Sequence, residues 1–204
     1  MKDFCKFDPK AYIQRMDTPE KCEEVYSVFA DFITANVFVP VRVLDVASGP
    51  GVLTCLLAER WKKARIIGVD LSEEMVDYAK KRAEKYDRKN LEFVLGDAMA
   101  LPFSDEEFDV IVCRGFLKVV PNIKKFLKEC YRVLHAGGKM FFSDTYYEGL
   151  SILPEICKKE EEYGILEEAV RHSLKLAEIQ SLFSPFPSSI FLRGISVYIV
   201  SRKS

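Results

Sequence analysis

The chain has 204 residues, of which 49% are hydrophobic and 30% are charged. This length and composition indicate one globular domain with a sizeable core, and they exclude a disordered, collagenous or coiled-coil chain. The 30 Lys and Arg residues are balanced by 31 Asp and Glu residues. The protein therefore lacks the overall positive field that draws proteins to nucleic acid or anionic membranes, and we expect no nucleic-acid partner.

The cysteines and the N-terminal segment indicate the cellular compartment. Six cysteines are scattered along the chain without a C-x-x-C pair, and there are only two histidines. This spacing does not favour a zinc site, and it fits free thiols in a reducing compartment better than a disulfide framework. The N-terminal residues lack the apolar run of a signal peptide, and charged residues interrupt the most apolar region, residues 25–47. We expect a cytoplasmic protein with no membrane insertion.

The first predicted element is an amphipathic helix that begins at Thr18 and Pro19, a typical N-cap and first helical residue. A β-branched run over residues 41–47 predicts a strand. The strand leads through a glycine-containing turn, residues 48–51, into a helical stretch over residues 52–63. The order is therefore strand, tight turn and helix.

The same unit recurs along the chain. Further strands are predicted at residues 65–70, 91–95, 108–113 and 139–144. Further helices are predicted from Ser72 to about Tyr86 and over residues 123–134, the second of these ended by Gly137 and Gly138. Strands that alternate with helices indicate a parallel sheet covered on both faces, which is a doubly wound α/β fold.

The last third of the chain has a different pattern. A charged helical region spans residues 154–183, and two β-rich runs follow within residues 188–202. Only Arg193 and Gly194 join the two runs, and such a short link favours an antiparallel hairpin.

Polar residues end the predicted strands. They are Asp45, Asp70, Asp97, Arg114 and Asp144. In an open parallel sheet, ligands bind beyond the carboxyl ends of the strands, near the point where the strand order reverses. An acid at the end of the second strand, such as Asp70, stands where it accepts hydrogen bonds from ribose hydroxyls. These residues therefore predict a nucleoside-type pocket.

Four ordered blocks carry a resemblance to a known family: VLDVASGPGVLT, GVDLSEEMVDYAKKR, FVLGDAMALPFSDEEFDVIVC and RVLHAGGKMFFSD. Over about residues 40–145 they resemble the class I S-adenosylmethionine-dependent methyltransferases, especially the branch similar to the ubiquinone and menaquinone biosynthesis C-methylases. The resemblance implies a Rossmann-like, mostly parallel seven-stranded sheet with a C-terminal antiparallel hairpin. It also implies S-adenosylmethionine as the cofactor and S-adenosylhomocysteine as the product.

The resemblance assigns residues to the methionine end of the cofactor. Asp45, Gly49 and Gly51 match the acid and glycines of the turn that meets the methionine part. Ala47 stands where the family more often has glycine, and alanine fits there at little cost if its φ is negative, so the assignment is kept. Arg114 matches the position past the fourth strand that often meets the cofactor's carboxylate end through its backbone.

The resemblance also assigns residues to the nucleoside end. Asp70 matches the ribose-binding acid, and Leu71 and Met75 are expected near the adenine or ribose. Asp97 and Ala98 match the acid and the small residue that meet the adenine amino group.

The resemblance implies one methyltransferase domain over residues 1–204. Residues 1–38 would be N-terminal cover helices, residues 40–145 the cofactor-binding core, and residues 146–204 the acceptor-side helices and the terminal hairpin. The acceptor molecule, its reacting atom, the general base and the choice between monomer and homodimer stay open. The roles of Lys118, Tyr146 and Tyr12 stay open as well, although Arg114 or Lys118 is a candidate to bind an anionic acceptor or the cofactor carboxylate.

The leading interpretation is an enzyme that transfers the methyl group to a small-molecule acceptor by direct displacement. The alternative is a non-catalytic S-adenosylmethionine-binding regulatory or partner protein, because the histidines that many relatives carry after the fourth strand are missing here. A nicotinamide-dependent oxidoreductase is disfavoured by the terminal hairpin, and arsenite methylation by the small number of convergent cysteines. We expect neither His135 nor His172 to be the base.

Overall fold

The computed structural model describes residues 8–85, 89–150, 173–193 and 195–203. Its strands are β1 Arg42–Val46, β2 Arg65–Asp70, β3 Leu91–Leu95, β4 Phe108–Arg114, β5 Leu134–Thr145, β6 Ser188–Arg193 and β7 Ser196–Arg202. Its helical segments are α1 Pro9–Met16, α2 Pro19–Lys21, a π-helical segment Cys22–Ser27, α3 Val28–Asn36, α4 Val52–Arg60, α5 Glu73–Lys85, α6 Ile123–Val133, α7 Tyr147–Leu150 and α8 Leu176–Phe183.

The seven described strands form one sheet in the order β3-β2-β1-β4-β5-β7-β6. The first five run parallel, and β7 is antiparallel to both β5 and β6. The predicted mostly parallel sheet with a terminal hairpin is confirmed. The strand order reverses at β1, which lies between β2 and β4, so the expected ligand position is beyond the carboxyl end of β1.

The central strands are apolar because helices cover both faces of the sheet. Alternate residues of β1 enter different cores: Val43 packs on the face covered by α3 and α4, and Leu44 packs on the face covered by α6 and α8. Both side chains are fully buried. Continuous β-branched and aliphatic runs are typical of such doubly covered parallel strands.

The helix boundaries follow local capping. The side chain of Thr18 accepts a hydrogen bond from the Lys21 amide at 3.2 Å, which confirms the predicted start of the lead-in helix. The predicted end of α6 at Gly137 and Gly138 is wrong, because the helix ends at Val133 and β5 follows directly. Leu134 is already extended and pairs with Phe108, and the register of β4 with β5 shifts just beyond this pair.

Several predictions concern residues outside the described ranges. Cys22, Cys55, Cys113 and Cys130 are free thiols, whereas Cys5 and Cys157 lie outside the described residues. Most of the charged region predicted to be helical also lies outside them, and α8 is its described part. None of the described helices has the length and apolar character that a bilayer crossing requires.

The ring of Phe93 on β3 supports the glycine turn from below. A Cβ atom on Gly51 or on Gly68 would lie 2.6 Å from carbons of this ring, which is too close for either glycine to be replaced without a shift. Phe93 is buried and packs with Val76 and Ala79 of α5. The two glycines therefore let the turn and β2 rest directly on an aromatic side chain.

We expect Gly68→Ala to lower the free energy of unfolding by about 1 to 3 kcal/mol, because the added methyl group overpacks the site against Phe93. The Cβ atom would also meet Ser48 Oγ at 2.9 Å. Urea unfolding followed by circular dichroism measures the change. Adding Phe93→Leu should recover part of the loss, and a Gly68→Ala variant as stable as the wild type would contradict this account of the turn.

Candidate functional site

The carboxyl ends of β1 and β2 are joined by hydrogen bonds. The Gly49 amide donates to Asp70 Oδ2 at 2.8 Å, and the Ser48 amide donates to the Val69 carbonyl oxygen at 3.0 Å. The turn after β1 and the acid that ends β2 are therefore parts of one site. The sequence predicts that the turn and Asp70 lie at the same edge of the sheet, and the structure shows the hydrogen bond between them.

Asp70 is held by backbone amides. Its Oδ1 accepts from the Ser72 amide at 2.9 Å, so each carboxylate oxygen has one donor from the chain. Burial raises the pKa of Asp70, although the amides of Ser72, Gly49 and Leu71 oppose that rise. A carboxylate offers about four lone-pair sites, so a fixed Asp70 still retains acceptor capacity for a hydroxyl donor.

The glycine turn has left-handed backbone at three positions. Gly49 has a φ of +53° and Gly51 a φ of +74°, conformations that glycine adopts without cost. Ala47 has a φ of +56°, so the condition under which alanine fits there at little cost is not met. An L-residue in this region costs about 1 kcal/mol or more. The adjacent bond from the Ser48 amide to Val69 holds the turn in this form.

Asp45 is the buried acid of the site. It lies one residue before the end of β1, has 2% of its surface exposed and accepts a hydrogen bond from Thr54 Oγ1 at 2.7 Å. Burial raises the pKa of Asp45 to about 7, the bond from Thr54 lowers it, and the nearby Asp70 raises it. Near neutral pH this carboxyl group is close to its ionisation point, so an approaching cation would favour its charged form.

Arg114 brings positive charge to the same edge. Its guanidinium lies over the ring of Tyr26, with Cζ 4.6 Å from the ring centroid. The Nε atom is buried and has no hydrogen-bond partner. Among the described residues, no carboxylate forms an ion pair with Arg114. The side chain is thus a cation held in place by an aromatic ring, with unused donor capacity.

The N-terminal helix α1 also reaches the turn. The Tyr12 ring carbon Cε1 lies 3.8 Å from the position that a Cβ atom of Gly49 would occupy. Burial raises the pKa of Tyr26 far above its usual range, and a hydrogen bond with Tyr12 adds to the effect, so the Tyr26 phenol keeps its proton. Tyr26 is therefore linked to the turn through Tyr12, and it packs in the same core cluster as α4.

The positions assigned to the nucleoside end lie at the neighbouring strand ends. Asp97 Oδ1 accepts from the Met99 amide at 2.8 Å, and Ala98 is buried. Leu71 has 66% of its surface exposed, whereas Met75 is fully buried. Of these two, only Leu71 offers substantial surface to a ligand, and Met75 supports the site from within the core.

Lys118 and Asp144 form a pair on the other side of β4. Lys118 Nζ lies 3.3 Å from Asp144 Oδ1 and donates to Thr145 Oγ1 at 3.2 Å. The Asp144 side chain is buried, and the Lys118 side chain is 24% exposed. Lys118 is therefore paired with Asp144 and largely shielded from solvent. Tyr146, which follows Thr145 in the sequence, is buried. His172 lies outside the described residues.

Three residues of the site were not identified from the sequence. They are Thr54, which bonds Asp45, Tyr26, which carries Arg114, and Arg82, whose Nε donates to the Pro50 carbonyl oxygen of the turn at 2.9 Å. Tyr26 follows the apolar spacing of a core helix, and Arg82 belongs to a basic run that is typical of a solvated helix face. Their roles depend on contacts between distant segments.

The residues present fit the implied cofactor. Its methionine part carries an ammonium and a carboxylate, and the edge holds a buried acid, Asp45, and the guanidinium of Arg114, whose Nε has no partner among the described residues. Its ribose carries two hydroxyl groups, and Asp70 is a fixed carboxylate acceptor beside the turn. Which atoms meet the cofactor stays a prediction.

Comparisons with known proteins identify the family. A model of the methyltransferase domain family matches residues 39–185, which is well over half of the chain. Two similar relatives are named demethylmenaquinone methyltransferase. The one from Lactococcus lactis is 38% identical over 113 residues, which are 55% of this chain and 45% of that protein. The one from Listeria monocytogenes is 29% identical over 159 residues, 70% of this chain and 67% of that protein.

A relative from Halobacterium salinarum named arsenite methyltransferase is 36% identical over 105 residues, which are 50% of this chain and 27% of that protein. The fold is shared with a SAM-dependent methyltransferase from Aquifex aeolicus, with a TM-score of 0.80, 20% identity, and coverage of 98% of this chain and 100% of that one. The family match and these likenesses agree with the observed sheet order and with the glycine turn beside Asp70. The chain therefore belongs to the methyltransferase domain family, in the class I S-adenosylmethionine-dependent branch that includes proteins similar to the ubiquinone and menaquinone C-methylases.

Proposed function

We propose that this chain transfers the methyl group of S-adenosylmethionine to a small-molecule acceptor. The observation that carries the proposal is the link between the Gly49 amide and the Asp70 carboxylate at the strand-order reversal. This link joins a carboxylate that can accept hydrogen bonds from a nucleoside to the glycine turn, which a ligand can approach closely. The proposal also draws on the family to which the chain belongs.

Each assigned residue has a role in holding the cofactor. Asp45 binds the methionine ammonium, Arg114 binds the methionine carboxylate, and the backbone of residues 47–51 lies alongside the chain that joins them. Asp70 binds the ribose hydroxyls. Asp97, Ala98 and Leu71 line the adenine position, and the buried Met75 supports it. The charges support this orientation, because the acid and the guanidinium match the two ends of a zwitterion.

When bound, the cofactor would supply a methyl group on a sulfonium sulfur, and the electron pair of the broken bond would stay on that sulfur. An electron pair of the acceptor would form the new bond to the methyl carbon, and the acceptor's proton would pass to solvent or to a base. The chain's contribution is to align the acceptor and exclude water. Tyr12 and Tyr26 close one side of the methionine end. The pair of Lys118 and Asp144 lies on the side left for the acceptor.

The acceptor belongs to the proposal as well. The names of the Lactococcus and Listeria relatives support a quinol-type ring as the first acceptor to test. Arsenite is less well supported, because metalloid binding needs thiolates and burial raises the pKa of Cys113 and of Cys130.

Nothing in the comparisons favours the non-catalytic alternative. We propose a cytoplasmic monomer or homodimer with no nucleic-acid partner.

Asp70→Ala should weaken the binding of S-adenosylmethionine and S-adenosylhomocysteine by about 1 to 3 kcal/mol, because the ribose hydroxyls lose their acceptor. This corresponds to a roughly 5- to 150-fold increase in Kd, measured by isothermal titration calorimetry. Asp105→Ala is the matched control, since Asp105 lies before the amino end of β4 and is exposed. If the folded wild type binds neither sulfur nucleoside, the proposed function is wrong.

The affinity for S-adenosylhomocysteine should increase as the pH rises from 6 to 7.5. With a pKa of about 7, Asp45 changes from mostly protonated to mostly charged over this range. The charged form binds the ligand's ammonium, so the effect on Kd is at most about tenfold.

The free energy of unfolding depends on pH with the opposite sign to the ligand affinity. Below the unfolded pKa, Asp45 is protonated in both states. As the pH rises from about 4 to about 7, the unfolded chain loses this proton before the folded chain does, so the free energy of unfolding falls. Asp45→Asn should flatten both pH profiles. Asp70, whose pKa is also raised, still titrates in this variant. The difference between the wild-type and Asp45→Asn profiles therefore measures the contribution of Asp45. An unchanged pH dependence of Kd in Asp45→Asn would show that Asp45 is not the ammonium partner.

A further inference from the structure

Helix α1 lies against the glycine turn although it buries none of its own residues completely. Its contact with the turn is made by Tyr12, beside Gly49. Its apolar residues are at most partly buried, with Met16 packed against the core, and a short helix with so little buried surface gains little stability from packing. Polar contacts at its ends therefore decide whether it stays in place.

One such contact is at the C-terminal end of α1. Asp17, the C-cap residue, forms an ion pair with Arg82 of α5 and accepts a hydrogen bond from the Tyr78 hydroxyl at 2.7 Å. The Arg82 and Asp17 side chains are only 11% and 17% exposed. This pair is more buried than the typical surface ion pair, which contributes little to stability.

The same guanidinium also holds the turn. Arg82 Nε donates to the carbonyl oxygen of Pro50 at 2.9 Å, and Pro50 stands between the two glycines of the turn. Burial opposes the charge on Arg82, but the bond and charge of Asp17 outweigh it and raise the pKa of the guanidinium. Removing Asp17 would leave the largely buried Arg82 guanidinium without its counter-charge, which is costly.

We propose that Arg82 is a positioning residue that latches α1 onto the glycine turn and thereby sets the rate at which the cofactor and its product leave. The latch consists of Asp17, Tyr78, Arg82 and the Pro50 carbonyl. The kinetic part of this inference rests on the proposed function. The part that concerns the attachment of α1 stands on the contacts alone.

The mechanism of the latch is a local opening. While Asp17 is bound to Arg82, Tyr12 stays beside Gly49, and any ligand on the turn is enclosed on that side. When the ion pair breaks, α1 moves away without unfolding the sheet, because none of its residues is fully buried and only the partly buried Met16 packs against the core. The dissociation rate of a bound ligand then follows the open fraction of α1.

The test compares three variants of the full chain. Asp17→Asn removes the charge, and Tyr78→Phe removes only the hydroxyl donor. Asp31→Asn is the matched control, because Asp31 of α3 pairs with Arg60 of α4 at 2.6 Å and so joins two helices on the same face of the sheet without touching the turn. Circular dichroism melting checks that each variant is folded.

Two quantities are measured. Hydrogen exchange of the amides over residues 10–16 is followed without ligand, and the dissociation rate of S-adenosylhomocysteine is followed by stopped flow. Asp17→Asn should increase both by about fivefold or more, and Tyr78→Phe should increase both by a smaller factor. Asp31→Asn should change neither.

The latch is overturned if Asp17→Asn leaves either the exchange of α1 or the dissociation rate at the wild-type value. It is also overturned if Asp31→Asn has the same effect, because the change would then be a general loss of stability. If the wild type does not bind S-adenosylhomocysteine, the proposed function fails, and the exchange measurement still decides whether Arg82 holds α1.

Discussion

The site depends on the hydrogen bond from the Gly49 amide to the Asp70 carboxylate. It joins the turn after β1 to the end of β2, and the parallel register of these strands brings the two groups to the same height. The Gly96 amide extends the arrangement, since it donates to the Asp70 carbonyl oxygen at 2.9 Å. Three strand ends are therefore held as one rim before any ligand is present, which reduces the ordering that binding requires.

The charged side chains at this edge of the sheet differ in their burial and in their partners. Asp45 is buried with a single hydroxyl donor, and Asp70 has two amide donors, so the two acids differ in how strongly their charged forms are stabilised. The cations differ in the same way. Lys118 is neutralised by Asp144, whereas Arg114 rests on Tyr26 without an ion pair among the described residues. Of these two cations, Arg114 is therefore the one without a counter-charge among the described residues, and it is the one that we propose for the cofactor carboxylate.

The turn is supported from two directions. Phe93 packs beneath it, and the absence of a side chain at Gly51 permits this close approach. Arg82 holds the Pro50 carbonyl from the side, and Ala47 is kept in a left-handed conformation that it would not adopt in a free peptide. A rigid turn of this kind keeps its backbone in place for a ligand, and the strain at Ala47 is balanced by these contacts.

The sequence by itself determined the alternating strands and helices, the terminal hairpin and the acids that end the strands, because these depend on periodicity and on short-range turn chemistry. It did not determine the end of α6, where pairing of Leu134 with Phe108 overrode the glycine signal, or the positive φ of Ala47. Only the tertiary structure decided that Tyr26 carries Arg114 and that Arg82 joins Asp17 to Pro50. These contacts link segments far apart in the chain, and local patterns carry no information about such pairings.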